Sequence, residues 1–325
     1  MEPKVLGKKI LLCAGLAVLM SASVSCNKDD DDDQAGNTIA DQVVANGEFS
    51  LLERAVVRAG LAETLSGAGP FTVFAPDDDA FAASGLNAAA IDATSPEDLR
   101  RLLLYHTLTA EVAAAAVPAG PNAKVSTANS PADSVFVTRN SSGVFVNGVK
   151  IVTADVQADN GIIHVPAAVI VPPSGNMVAT AQSKSGGDTG LDSLVTAIVR
   201  VEGAAPGLIS LLNSNVLTVF APTNKAFRDL LSALSLSNVS QIPLATLQAV
   251  LAYHLVQGRV FSSALANGNV TMFSGSSTTI NLTNGASGGP TVTGSGNGGA
   301  GSNIVAVNIM ATNGVVHVID RVLLP

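Results

Sequence analysis

Apolar positions in residues 41–65 recur at helical spacing: Val43, Val44, Leu51, Leu52, Val56, Leu61 and Leu65, with Gly47 and Gly60 as punctuation. That stretch is expected to be helical. Phe71-Thr72-Val73-Phe74 then alternates as a strand does, and Ala75-Pro76 ends it, because proline has no N–H for a ladder. Asp77 stands where it can cap a helix carrying Phe81. A further helix starts at Pro96-Glu97-Asp98, turns Leu99, Leu102 and Leu103 inward, and ends at Tyr105-His106. Beyond it the period changes to two. Val135-Phe136-Val137-Thr138 and Gly143-Val144-Phe145-Val146, joined by Arg139-Asn140-Ser141-Ser142, read as a hairpin. Residues 162–171 read as a closing long strand or strand pair.

The pattern then returns. Residues 191–212 are helical by spacing, 217–220 alternate, Pro222 is the stop and Thr223 the candidate cap. A helix over 243–253 buries Leu244, Leu247, Val250 and Leu251, and 315–324 matches the closing strand. The repetition extends to identity. Phe71-Thr72-Val73-Phe74-Ala75-Pro76 reappears as Leu217-Thr218-Val219-Phe220-Ala221-Pro222, Tyr105-His106 as Tyr253-His254, and Asn160-Gly161-Ile162-Ile163-His164 as Asn313-Gly314-Val315-Val316-His317. The offsets are 146 (71 to 217), 148 (106 to 254) and 153 (164 to 317). Solenoid repeats have periods of about 20–50 residues, so this is a duplicated domain. The expected borders are 38–172 and 188–325, separated by a polar linker at 173–187. A Gly/Ser/Thr-rich stretch, 284–302, lengthens the second repeat and is expected to be a mobile surface loop.

The N-terminus has another character. Lys4, Lys8 and Lys9 precede an apolar run at 10–20, too short to span a bilayer, and small residues lead to Cys26. Residues 1–25 resemble a bacterial lipoprotein signal peptide, with Cys26 as the lipidated (palmitate-bearing) residue. Ser23 stands where the usual pattern has leucine. The alternative is an ordinary secretory signal followed by a chance cysteine. Residues 26–37 form an acidic tether, since the adjacent carboxylates Asp29 to Asp33 repel one another and cannot pack. Cys26-Asn27-Lys28-Asp29-Asp30 resembles the surface-export signal of Bacteroidetes lipoproteins. The expected location is the outer membrane, lipid-anchored and surface-exposed. Cys13 lies in the signal and Cys26 carries lipid, so no cysteine is left for a disulfide.

Composition narrows the chemistry. Hydrophobic residues make up 47% and charged residues 13%, with no Trp, so aliphatic side chains must fill both cores. The net charge is −8; residues 1–25 contribute +2, leaving −10 for the rest. Nucleic acid is not an expected partner, because phosphate backbones require clustered Lys and Arg. All four histidines and both tyrosines lie in the repeated blocks. A zinc site needs three or four suitably spaced ligands; there is no His-x-x-x-His pair, so no metal or other cofactor is expected. The histidines are expected in hydrogen-bonding structural roles. No Gly-x-Ser-x-Gly elbow is present and nothing singles out a catalytic serine. Gly294-Ser295-Gly296-Asn297-Gly298-Gly299 fits a dinucleotide fingerprint in letters only, since no helix follows. Asp133-Ser134-Val135 and Asp192-Ser193-Leu194 resemble a short O-glycosylation pattern. They read equally as the start of a strand and the first turn of a helix.

The three blocks together resemble the fasciclin (FAS1) domain. The resemblance implies an α+β fold: two tandem fasciclin-like domains, each a wedge-shaped β-sandwich with helices packed around it. Tyr105, His106, His164, Tyr253, His254, His317 and Asp320 fall on its structural motifs. The first repeat departs from them, with Pro166-Ala167 where the second has Ile319-Asp320. Asp155-Val156 and Asn308-Ile309 match the position of an Asp-Ile pair linked to integrin binding in some animal members, and are candidate interaction residues. The resemblance implies a non-enzymatic cell-surface adhesion or interaction module, with an extracellular or envelope protein or glycan as partner. An alternative is an accessory outer-membrane lipoprotein that captures a ligand or glycan; the absence of Trp and the placement of both Tyr within motifs count against it. A hydrolase is the least favoured reading.

Overall fold

Thr38 opens the first helix through a capping box with Asp41: each side chain bonds the other's backbone N–H. The computed structural model describes residues 36–120, 122–129, 133–283, 285 and 288–325. The signal peptide, Cys26 and the tether up to residue 35 lie outside the described residues.

Repeat one runs α1 (Ile39–Ala45), α2 (Ser50–Ala59), α3 (Ala62–Ser66), β1 (Phe71–Phe74), α4 (Asp78–Ala83), α5 (Ala88–Ala93) and α6 (Pro96–Tyr105). Then come β2 (Thr107–Leu108), β3 (Ala123–Ser126), β4 (Ser134–Asn140), β5 (Gly143–Val146), β6 (Val149–Ala158) and β7 (Gly161–Pro166). Repeat two runs α7 (Met177–Gln182), α8 (Asp192–Ala204), α9 (Leu208–Ser214), β8 (Leu217–Pro222), α10 (Asn224–Ala233) and α11 (Leu244–Ala252). It closes with β9 (Leu255–Gln257), β10 (Gly268–Thr271), β11 (Ser277–Asn281), β12 (Thr291–Gly294), β13 (Ser302–Ala311) and β14 (Gly314–Ile319).

Local chemistry sets the element borders. Gly60 takes the left-handed conformation, φ 65°, and ends α2. Asp77 accepts the N–H of Ala80 at 2.7 Å and starts α4; Thr223 does the same for Ala226 at 3.1 Å in α10. Ser95 caps α6, with Pro96 in its first turn.

The first sheet has the order β2-β1-β7-β6-β5-β4-β3, and the second the order β9-β8-β14-β13-β12-β11-β10. The β1–β7 and β8–β14 pairs are parallel; the others are antiparallel. In a flat sheet β1 and β4 would lie about 19 Å apart, four strand spacings. Yet Phe74 and Leu108 share one core with Val135, Val137 and Val146. The sheet therefore folds back on itself, turning at the bulged strand β6 between Thr153 and Val156. This is the sandwich. On the other face of β1 and β7, Val73, Ile163 and Val165 pack under Leu52, Phe81, Leu99 and Leu103 of the helices. The second repeat reproduces both layers around Phe220, Ile280 and Val292 and around Val219, Phe227 and Leu251.

The structure corrects several expectations. The helical stretch 41–65 is α1, a 3₁₀ turn at Gly47–Phe49, α2 and α3. The hairpin turn is tighter, because Arg139 and Asn140 pair with Val144 and Gly143 and only Ser141-Ser142 turn. The closing strands stop at Pro166 and Ile319, and Pro222 is the last residue of its strand, where a missing donor costs least. The expected linker, 173–187, holds α7, whose Met177 and Ala181 enter the second repeat's core. The stretch 284–302, expected as a loop, contains β12, paired with both β11 and β13, and a 3₁₀ turn at Ser295–Asn297. Asn297 there fastens the segment that follows β14, accepting from Leu324 N and donating to Val322 O.

Candidate functional site

The repeated histidines serve as backbone clasps. His106 Nδ1 lies 2.8 Å from Leu102 O, and its Nε2 accepts the N–H of Ile170 at 3.0 Å. His254 does the same between Val250 O, 2.7 Å, and Leu323 N, 3.0 Å. An Nε2 that accepts leaves the proton on Nδ1. Burial pushes both imidazoles down to about 4, opposed by the hydrogen bond to the helix carbonyl. His164 and His317 hold the opposite tautomer. Their Nε2 atoms donate to Val112 O and Val260 O, each at 2.9 Å, and their Nδ1 atoms accept from the backbone of Asp155 and Asn308. Burial also lowers the pKa of His317. All eight ring nitrogens are thus engaged with backbone, so no imidazole lone pair faces a ligand. Among the described residues, no group of three or more His, Cys, Asp or Glu is arranged to hold a metal.

Asp155 and Asn308 sit at the bulges where β6 and β13 bend, with φ 58° and 59°. Asp155 accepts Ala114 N at 2.9 Å and Asn308 accepts Ser262 N at 2.8 Å. The acid and the amide both supply that oxygen, and the Asn308 amide also donates to Ser262 Oγ at 2.7 Å. Val156 and Ile309 follow them, half-buried against the helix-side cores. The tyrosines close the sandwich interior. Tyr105 OH donates to Ser134 O and receives Asn147 Nδ2 at 2.9 Å, and burial raises its pKa. Tyr253 OH donates to Ser277 O and receives Ser295 N at 3.1 Å. Asp320 accepts Asn303 N at 2.7 Å and clamps the start of β13. Of the two glycosylation-like triplets, Asp133 is buried and bonded by Asn129, while Ser134 and Ser193 are half-buried.

Some positioning residues fell outside the sequence reading. Thr72 and Thr218 each donate to one carbonyl and accept one N–H, tying β1 to Ala110 and Val112, and β8 to Gly258 and Val260. Asn160 receives Ile39 N and donates to Leu65 O and Gly67 O; Asn313 receives Met177 N and donates to Leu212 O. Each thus moors the first helix of its repeat. The signal was present, since both Thr and both Asn-Gly pairs belong to the repeated blocks.

A further set of residues joins the two repeats to each other. Phe136 of β4 meets Phe261 at a centroid distance of 6.1 Å, and the Arg259 guanidinium lies 4.3 Å from the Phe136 ring centre. Arg259 also donates to Ala311 O, Gly314 O and Thr312 O, pinning the β13–β14 turn. Asn122 Nδ2 donates to Arg259 O at 3.1 Å and Asn140 Nδ2 to Ser263 O at 2.9 Å. Gly148 has no side chain to collide with Asn308 across the joint.

Both repeats are therefore small α+β modules whose shared polar residues bind backbone. The fasciclin domain family model matches residues 47–172 and 193–325, and the chain belongs to that family. It is 38% identical over 138 residues to protein sll1483 of Synechocystis sp., covering 42% of this chain and 74% of that protein. It is 34% identical over 137 residues to the transforming growth factor-beta-induced protein ig-h3 of Sus scrofa, covering 42% of this chain and 20% of that protein. Fasciclin-1 of Schistocerca americana is 26% identical over 178 residues, covering 54% of this chain and 26% of that protein. A solved fasciclin domain pair from the insect cell adhesion molecule Fasciclin I aligns at 18% identity and TM-score 0.38, covering 86% of this chain and 98% of that one. Fasciclin domains are found in cell-adhesion proteins.

Proposed function

We propose that the chain is a non-enzymatic adhesion or interaction module displayed at the cell surface and anchored by lipid on Cys26 in the outer membrane. One observation supports the interaction reading most. The motif residues that could have done chemistry are spent on backbone, whereas the joint binds one protein surface to another through Phe136, Arg259 and Phe261. A partner protein or glycan would be met by the faces that differ between the repeats. No single helix among the described residues is long and apolar enough to cross a membrane.

Two measurements test the proposal. Surface biotinylation of intact cells should label the wild-type chain, and Cys26→Ala should move it from the membrane fraction to the soluble fraction. Deletion of the gene should reduce attachment between cells or to matrix. Unlabelled cells, or attachment unchanged by deletion, would refute it.

A further inference from the structure

A cavity of about 470 Å³ opens at the joint, and both repeats build it. Lys124, Ser134 and Phe136 from the outward face of β3 and β4 form its floor; Arg259, Met310 and Thr312 form its wall. No Asp or Glu lines it among the described residues, although acids outnumber bases 25 to 17 in the chain. Lys124 is exposed and stands opposite Phe136 in the β3–β4 ladder, with no ion-pair partner among the described residues. Arg259 is half-buried, bonded to carbonyls and a ring face rather than to a carboxylate. Burial lowers its pKa.

The duplication provides an internal control. Tyr105 and Tyr253 bond Ser134 O and Ser277 O, and Thr72 and Thr218 bond Ala110 O and Gly258 O, which aligns the two repeats residue by residue. On that alignment Lys124 corresponds to Asn269, and Arg259 to Glu111. Neither positive charge belongs to the fold. Each occurs only in the copy that faces the joint.

We propose that this groove binds a short acidic, partly apolar peptide segment of a partner protein, its carboxylates meeting Lys124 and Arg259 and its aliphatic side chains meeting Phe136 and Met310. The assignment rests on the interaction-module reading and names the partner's chemistry. A peptide fits better than an acidic sugar chain, because the groove sets its two cations beside the apolar side chains of Phe136 and Met310, and a polyuronate carries carboxylates without aliphatic side chains.

The test uses the full chain in detergent and a fluorescein-labelled short peptide alternating Glu and Leu. A Lys-Leu peptide and oligogalacturonate serve as comparisons. The Glu-Leu peptide should bind, weaken as salt rises, and lose about tenfold in affinity in each of K124E and T312E. Both positions are exposed, so circular dichroism and melting temperature should match wild type. Equal binding of the Lys-Leu peptide, unchanged affinity in both variants, or tighter binding of oligogalacturonate overturns the groove assignment. Attachment lost on gene deletion but kept in K124E and T312E cells also overturns it, while leaving the module reading intact. Peptide binding that the variants weaken, in cells whose attachment survives deletion, upholds the groove and removes the adhesion reading.

Discussion

Asp155 and Asn308 are the same corner of the fold occupied by two different residues, each left-handed and each accepting one N–H from a 3₁₀ turn earlier in its repeat, Ala114–Ala116 or Ser262–Ala264. Asp and Asn tolerate positive φ; β-branched residues do not. Asp155→Asn should therefore leave stability within about 0.5 kcal/mol, whereas Asp155→Val should cost about 2–3 kcal/mol through lost acceptance and backbone strain. Urea unfolding of the two variants decides it; equal losses would separate the residue from the bulge.

His106 and His254 make stability depend on pH. Their folded pKa is about 4, against about 6.5 when unfolded. Between those values the unfolded chain binds more protons, so stability is full above pH ~6.5 and falls as pH drops toward ~4. Each histidine contributes roughly 3 kcal/mol to that loss. His106→Gln should be less stable at pH 7 and should flatten the acid limb by up to about 1.4 kcal/mol per pH unit. Denaturant titrations at several pH values read both effects.

Gly161 and Gly314 lie where two parallel strands start side by side. A Cβ at either would strike a backbone carbonyl, Phe71 O or Leu217 O. Backbone cannot yield as a flexible side chain does, so Gly161→Ala and Gly314→Ala should each cost at least about 3 kcal/mol. Thermal melts should show this, with Gly258→Ala as a milder comparison, its φ of 89° strained but its surroundings open.

Phe136→Ala should uncouple the repeats without unfolding either. The ring carries the contacts to Phe261 and Arg259, and it has no part in the helix-side cores. Calorimetry should resolve two transitions in the variant and one broader cooperative event in the wild type. A single unchanged transition would mean that Asn122 and Asn140 suffice.

Legibility in the sequence followed the range of the interactions. Strand β1 was readable to the residue, because alternation is local and Pro76 bounds it. The Asp77 and Thr223 caps were readable for the same reason. Helix α7 was not. Its six residues follow two prolines and a glycine, and only the second repeat's core makes Met177 and Ala181 buried. Strand β12 was hidden by its Thr/Gly composition, since its conformation comes from the ladders on both sides. The histidines were legible as a set, but their opposite tautomers depend on partners 52 to 69 residues away. The joint left no signal, because Phe136, Arg259 and Phe261 lie outside the shared blocks and correspond to Thr279, Glu111 and Ala113 in the other copy.

That mismatch gives the molecule a direction. The face that grips is on the first repeat and the end that is gripped is on the second. At the two outer ends the corresponding positions hold Thr279, and Glu111 with Ala113. A gene with the repeats in reverse order would bring those three residues together, and they offer neither ring nor cation to hold a joint. Duplication supplied two similar bodies, and later divergence made their order matter.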